Sequence, residues 1–356
     1  MTSTDYLIIG GGIAGTSLGA KLSCNGSLTL IEAESALGYH STGRSAAMFA
    51  PNYGNEIIRS LNRKSFDYFR TTENLLRQRD VLVICGDNDE QAFEKLLDDG
   101  FQEISVNDAC KQMPLLRSKS VLRAAIDTGC YDVDVDLLVQ NHARSMRSNG
   151  VKFKFNSTAQ KIYYRNKCWH VETRTGNFSA PVLVNAAGAW SDLIAQMAGL
   201  GKLGLAPMRR SIACVSMPMD VSGWPLLLGA SETWYAKPDA GNLLISPAEE
   251  VQCEPMDAWA DDFALAEGID RFQQYVDFEV TRIETNWAGL RTFAPDRTPI
   301  VGFDPRAEGF FWLAGQGGYG VQTSPAMSEI AAHLITRDDD TDINLKAALN
   351  PSRFCN

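Results

Sequence analysis

The chain has 356 residues, of which 45% are apolar and 21% charged. That is ordinary for a globular protein and long enough for two domains around a large core. The formal charge of −10 comes with no clustered basic face, which argues against a nucleic-acid binder. No apolar run approaches the ~20 residues that span a bilayer. The eight cysteines (Cys24, Cys85, Cys110, Cys130, Cys168, Cys214, Cys253 and Cys355) are scattered, without a CxxC pair. They read as reduced thiols of a cytoplasmic protein, with neither a disulfide framework nor a metal site. Residues 1–9 (MTSTDYLII) lack a basic n-region and are not expected to be a signal peptide.

In chain order, residues 6–9 form a continuous apolar run, as a buried parallel strand should. Glycines 10–12 break it. Residues 13–22 place small and apolar side chains at helical spacing, and Asn25-Gly26 closes that helix. Residues 28–31 form the second strand, ending at Glu32. Further on, 55–70 reads as helix, 81–84 as strand, 89–97 as helix and 134–148 as helix. Short strands follow at 151–155, 161–164 and 169–173, then a buried strand at 182–185 and a helix from Trp190. Between 204 and 285 short alternating strands separated by Pro and Gly turns, such as 237–241 (KPDAG), suggest an antiparallel sheet. The chain returns to strand at 310–314, a glycine turn at 315–320 and a helix at 321–336.

The expected fold is therefore α/β, a Rossmann-type domain built from both ends of the chain with an antiparallel-sheet substrate domain inserted. The predicted bounds are 1–80, 137–205 and 295–356 for the first, and 81–136 and 206–294 for the second.

Gly10-Gly11-Gly12-Ile13-Ala14-Gly15 matches G-x-G-x-x-G in its required setting, after a strand and opening a helix. Gly10 makes the turn, Gly12 lets the backbone approach a pyrophosphate, and Gly15 lets helix and strand pack closely. Free N–H groups and the helix dipole at Ile13 and Ala14 favour the phosphates. Glu32, about 20 residues on, suits a ribose hydroxyl. The motif by itself fits FAD or NAD. Two further segments favour FAD. Ser41, Thr42, Gly43, Arg44, Ser45, Ala46 and Ala47 form a hydroxyl-rich loop suited to a pyrophosphate and a flat ring. Gly317, Gly318, Tyr319, Gly320, Val321, Gln322 and Thr323 could offer backbone N–H groups from the other side.

Five stretches carry a resemblance: 38–47 (GYHSTGRSAA), 182–190 (VLVNAAGAW), 237–241 (KPDAG), 287–293 (WAGLRTF) and 315–323 (GQGGYGVQT). Together they resemble the D-amino-acid oxidase superfamily of flavoproteins, which includes glycine and sarcosine oxidases, with bacterial D-arginine dehydrogenases the nearest likeness. The resemblance implies non-covalent FAD, contacted also by Ala33, Ala159 (its backbone near the adenine), Ala187 and Gly188. It implies oxidation of a D-amino acid by hydride transfer from the α-carbon to flavin N5, followed by hydrolysis to a 2-oxo acid and ammonia. Arg291 matches the carboxylate clamp, Arg210 a second arginine beside it and Tyr235 a phenol donating to the same carboxylate. Tyr53 matches a lid tyrosine, and the Gly318 backbone would face the substrate amine.

Two departures bear on the substrate. Met48 stands where those dehydrogenases have a histidine, and methionine neither titrates nor hydrogen-bonds usefully. Val81 falls where they have a glutamate for the substrate guanidinium, with Asp80 beside it, so strand register decides whether a carboxylate enters the pocket. As aligned, the site prefers neutral or apolar D-amino acids. The stretch 242–246 (NLLIS) lacks the lysine that sarcosine-oxidase relatives use to activate oxygen, so the expected electron acceptor is a quinone or another acceptor. The other readings are a glycine- or sarcosine-type oxidase releasing hydrogen peroxide, a 2-hydroxy-acid dehydrogenase, and a non-catalytic FAD-binding subunit.

Overall fold

The structure is a computed structural model that describes residues 2–337 and 342–355. Met1, residues 338–341 and Asn356, which the predicted domain bounds enclose, lie outside the described residues. A six-stranded sheet runs in the order Lys152–Lys154, Leu28–Ile31, Tyr6–Ile9, Val182–Asn185, Phe310–Ala314, Ile300–Phe303. All its pairings are parallel except the last. The central strands are apolar on both faces because both are covered, one by helices and the other by a four-stranded sheet together with the helix Ser191–Met197. Leu18, Leu22, Met146 and Ile330 fill one side, and Trp169, Phe178 and Ile194 the other. At Gly19 a Cβ would sit 2.4 Å from the Met146 methyl of the neighbouring helix Val135–Ser148, so the two helices pack closely there.

The second large sheet is mixed. Its order is Gln316–Gly317, Thr285–Phe293, Ala206–Ser216, Asn242–Ser246, Tyr235–Asp239, Leu226–Gly229, Val81–Cys85, Arg123–Asp127, Gln102–Ile104. It is antiparallel apart from one parallel pairing, Leu226–Gly229 with Val81–Cys85, where the sequence reading expected none. One face packs Leu82, Val215, Leu227, Ala236, Ile245 and Phe272. Phe272 belongs to the helix Asp262–Tyr275, which the reading of 204–285 as strands and turns missed. The predicted turn at 237–241 is also corrected. Lys237 and Pro238 lie within the strand Tyr235–Asp239, and the bend is confined to Ala240 (φ +46°) and Gly241 (φ +82°), the two-residue hairpin geometry that suits strand twist.

Most helix starts follow from caps that the sequence shows. The Asn55 side chain accepts from Ile58 N–H and the Asp134 side chain from Leu137 N–H, satisfying donors the helix leaves free. On the second of these helices His142 is 7% exposed, stacks on Tyr68, and has no partner for Nε2 among the described residues. Burial pushes its pKa down to about 4. The unfolded chain, titrating near 6.5, therefore binds more protons than the fold between those values, and stability falls as pH drops through that window. His142→Gln is expected to remove roughly 2–3 kcal/mol of acid destabilisation between pH 7 and pH 4, flattening a melting-temperature profile over that range.

Candidate active site

The first glycine turn is built as a cradle. A Cβ on Gly10 would sit 2.3 Å from Ala186 O, and one on Gly15 would sit 1.9 Å from Gly10 O. The helix Ile13–Leu22 thus starts hard against the strand ends, with Ala187 and Gly188 (φ +55°) following Ala186 beside Gly10. Glu32 lies over the turn, with Oε2 accepting from Gly11 N–H at 2.5 Å and Oε1 from Glu34 N–H at 2.9 Å. Each oxygen keeps a lone pair for a ribose hydroxyl. Ser157 N–H donates to Glu32 O at 2.8 Å, which brings the start of the strand Ala159–Arg165 to the same edge. Thr42 Oγ1 accepts from Ile13 N–H at 3.0 Å and lies against Gly12, and Gly43 folds back onto Gly38 O.

The second glycine turn meets the first. A Cβ on Gly320 would lie 3.7 Å from Ile13 Cγ2, so the starts of helices Ile13–Leu22 and Gly320–Thr336 are adjacent, two positive dipole ends facing one place. Gln322 receives Ala50 N–H on Oε1 and leaves Nε2 buried with no partner among the described residues. A close-approach cradle, a free carboxylate edge, paired helix starts and a buried unused donor together fit a dinucleotide with a flat ring. The Arg44 side chain does not serve the expected pyrophosphate. Its guanidinium donates to Ala258 O, Ala288 O and Asp257. Ser41 Oγ likewise donates to Leu290 O at 2.6 Å, so Ser41 and Arg44 fasten this loop to the large sheet while Thr42 stays at the first turn.

On the large sheet, register assembles the remaining residues. Met208 pairs with Arg291 and Arg210 with Gly289, so Arg210 and Arg291 are diagonal neighbours on one face. Tyr235 pairs with Ser246 and Leu228, and Leu228 pairs with Val83, which puts Tyr235, Val83 and Val81 on that face too. Val81, not Asp80, therefore presents to the site. It packs in one apolar cluster with Met48, Ala50, Val83 and Leu228.

Arg291 lies flat against the turn, so that a Cβ on Gly318 would be 3.1 Å from its Nη1. Among the described residues its guanidinium has no hydrogen-bond or ion-pair partner. Burial works against its charge, but Tyr53, Tyr235 and Glu250 outweigh this and hold its pKa above the ordinary value. Arg210 is pushed below its ordinary value, first by burial and then by Arg291. Its Nη2 donates to Glu250 at 3.2 Å, and its Nε is buried with no partner among the described residues. Tyr235 is 8% exposed and its hydroxyl also lacks one. The Tyr53 ring lies tilted against that of Tyr319, with centroids 5.1 Å apart, and burial pushes the Tyr319 phenol up to about 12. The Tyr53 loop is pinned by Asn62 Nδ2, which donates to Ala50 O, Pro51 O and Tyr53 O.

Sequence reasoning missed a second layer. Lys237, on the same face and 4% exposed, donates to Ala46 O at 2.9 Å and Ala47 O at 3.4 Å, and pairs with Asp132 at 2.9 Å. Asp132 also takes Arg79 Nε at 2.8 Å. This buried network holds the backbone of 46–47 against the large sheet. Glu250, which holds Arg210, was also unforeseen.

This arrangement is that of an FAD-dependent oxidoreductase, a dinucleotide cradle on one sheet facing two neighbouring arginines on another. The DAO family, described as FAD dependent oxidoreductase, matches residues 5–334, and the chain belongs to it. It is 30% identical over 190 residues to FAD-dependent oxidoreductase domain-containing protein 1 of Xenopus laevis, a match covering 47% of this chain and 37% of that protein. With the Bos taurus protein of the same name the match covers 39% of the relative. It is 23% identical to glycine oxidase of Geobacillus kaustophilus, over 94% of this chain and 93% of that one. The crystal structure of glycine oxidase from Geobacillus kaustophilus superposes with a TM-score of 0.85 at 20% identity, covering 98% and 99% of the two chains. L-α-glycerophosphate oxidase from Mycoplasma pneumoniae, solved with FAD bound, gives 0.84 at 18% identity over 94% and 95%. Both are likenesses of fold. No helix among the described residues is long and apolar enough to cross a membrane.

Proposed function

We propose that the protein oxidises the carbon–nitrogen bond of a neutral or apolar D-amino acid, as a dehydrogenase passing electrons to a quinone or another acceptor. The observation that carries this reading is the pairing of Arg291, free of partners among the described residues, with Arg210 and the Tyr235 hydroxyl beside the turn at Gly318. Non-covalent FAD, when bound, supplies the two-electron acceptor. The protein's own work is placement. Arg291 takes the substrate carboxylate through its planar fork, Tyr235 and the unused Nε of Arg210 donate to the same group, and Tyr53 covers it from the pinned loop. The Gly318 carbonyl accepts from the amine. The product is an imino acid, which water hydrolyses to a 2-oxo acid and ammonia. With Met48 in place of a titrating side chain, either the amine enters neutral or the substrate differs from that of the D-arginine dehydrogenases. In this reading residues 1–80, 137–205 and 295–356 hold FAD, and 81–136 with 206–294 supply the pocket.

The apolar cluster joining Val81 and Met48 supports a neutral side chain, since a guanidinium there would be buried without a counter-charge. The strand Asn242–Ser246 offers no lysine, and Lys237 on the adjacent strand is committed to Asp132 and two carbonyls, which supports a dehydrogenase. The full-length similarity to glycine oxidase favours, as the second reading, a glycine- or sarcosine-type oxidase. Comparing kcat/KM on D-Met, D-Phe and D-Arg with a quinone acceptor tests the substrate reading. D-Met and D-Phe are expected to exceed D-Arg by about tenfold or more, whereas a D-Arg preference would refute the apolar wall. Rapid peroxide formation in air would favour the oxidase.

A further inference from the structure

Arg210 and Arg291 share one face, yet of the two only Arg291 is without a partner among the described residues. Glu250 stands behind Arg210, taking its Nη2 at 3.2 Å and, from the outside, both contacts of Arg297 Nη2 at 3.0 Å. The Glu250 side chain is only 32% exposed, while Arg297 is 48% exposed and stacks on Phe293. Arg297 therefore faces water that screens its charge, whereas the Arg210 side chain is 11% exposed and lies on the Arg291 face. Glu232, a further carboxylate in electrostatic reach of both arginines, makes no ion pair with either, and burial raises its pKa, which favours its uncharged form.

We propose that Glu250 is a specificity-determining residue that cancels the charge of Arg210 and so limits the site to substrates with a single carboxylate. This rests on the reading of Arg210 and Arg291 as carboxylate binders. Two guanidinium charges less one carboxylate leave a single inward positive charge, matched by a monoanion. A dianion brings a second negative charge toward Glu250, and like charges set side by side exclude the wrong ligand. Glu250 also fixes which edge of Arg210 turns inward, because holding Nη2 leaves the buried Nε for the ligand. Acidic amino acids and iminodiacids are thereby poor substrates, and neutral ones good.

The test is binding of two inert probes, propionate and succinate, to the FAD-loaded protein, followed by the shift of its visible flavin absorbance. The native protein is expected to bind propionate more tightly than succinate. In E250Q, and in E250A as a second route to the same loss of charge, succinate affinity is expected to rise about tenfold while propionate changes less than about threefold. An unchanged ratio of the two affinities in both variants, with propionate still bound, overturns the proposal and leaves the carboxylate clamp standing. Binding of neither probe to any of the three proteins overturns the clamp and the proposal together.

Discussion

Replacing Arg291 by Met is expected to lower kcat/KM on the best amino-acid substrate by about a thousandfold while leaving FAD content unchanged. The guanidinium has no protein partner among the described residues to leave stranded, so folding loses little. Met fills the stem of the side chain and keeps contact with Gly318. What disappears is the bidentate donor for the carboxylate, in a place where burial has already removed competing water. Tyr235 and Arg210 remain, but Arg210 is shared with Glu250 and cannot replace a free fork. Most of the loss should appear in KM, because the carboxylate is held alike before and during reaction. Steady-state kinetics with FAD content measured by absorbance checks both halves. A variant with near-native kcat/KM would remove Arg291 from the site.

The second large effect concerns stability. Asp132→Leu is expected to destabilise the protein by about 3 kcal/mol or more, because it strands two buried cations. Lys237 and Arg79 are each about 5% exposed and both point their charges at this carboxylate. Their remaining contacts are carbonyls, Ala46 O and Ala47 O for Lys237, Ser222 O and Trp224 O for Arg79. Lys237→Met should cost less, since Asp132 keeps Arg79. Both variants release the backbone of 46–47, so FAD should dissociate more readily than from the native protein. Thermal unfolding followed by flavin fluorescence reads the two consequences together. Equal melting temperatures for the native protein and the Asp132 variant would show that the network carries no net stability.

The first strand–turn–helix–strand was legible residue for residue, because glycine spacing, apolar runs and Glu32 are all local signals. The helix Asp262–Tyr275 was not. Its apolar stripe of Leu265, Ile269 and Phe272 is interrupted by Gly268, kept small because a Cβ would sit 2.7 Å from Pro247, and by Phe263, 74% exposed. The Asp261 cap, which accepts from Ala264 N–H, was the signal that could have found it. In the site, Arg210 and Arg291 could be named from the resemblance, but not their shared face, which depends on pairings about 80 residues apart in sequence. Val81 against Asp80 was a question of register, and only the alignment of Val81–Cys85 with Leu226–Gly229 answers it. Glu250, Asp132 and Lys237 carry no local pattern, and folding alone brings their charges together. Arg44 shows the reverse case, a residue rightly placed in its loop whose side chain turns to the sheet instead of the phosphates.

The central claim is that this FAD enzyme oxidises D-amino acids through the Arg291 face. The most direct test is to mix the FAD-loaded protein, without oxygen, with matched D and L enantiomers of methionine and phenylalanine and follow bleaching of the flavin band. The D forms should bleach it and the L forms should not, and the Arg291→Met variant should lose the response. Bleaching by the L forms, or by neither while glycine or sarcosine bleaches, would contradict the claim.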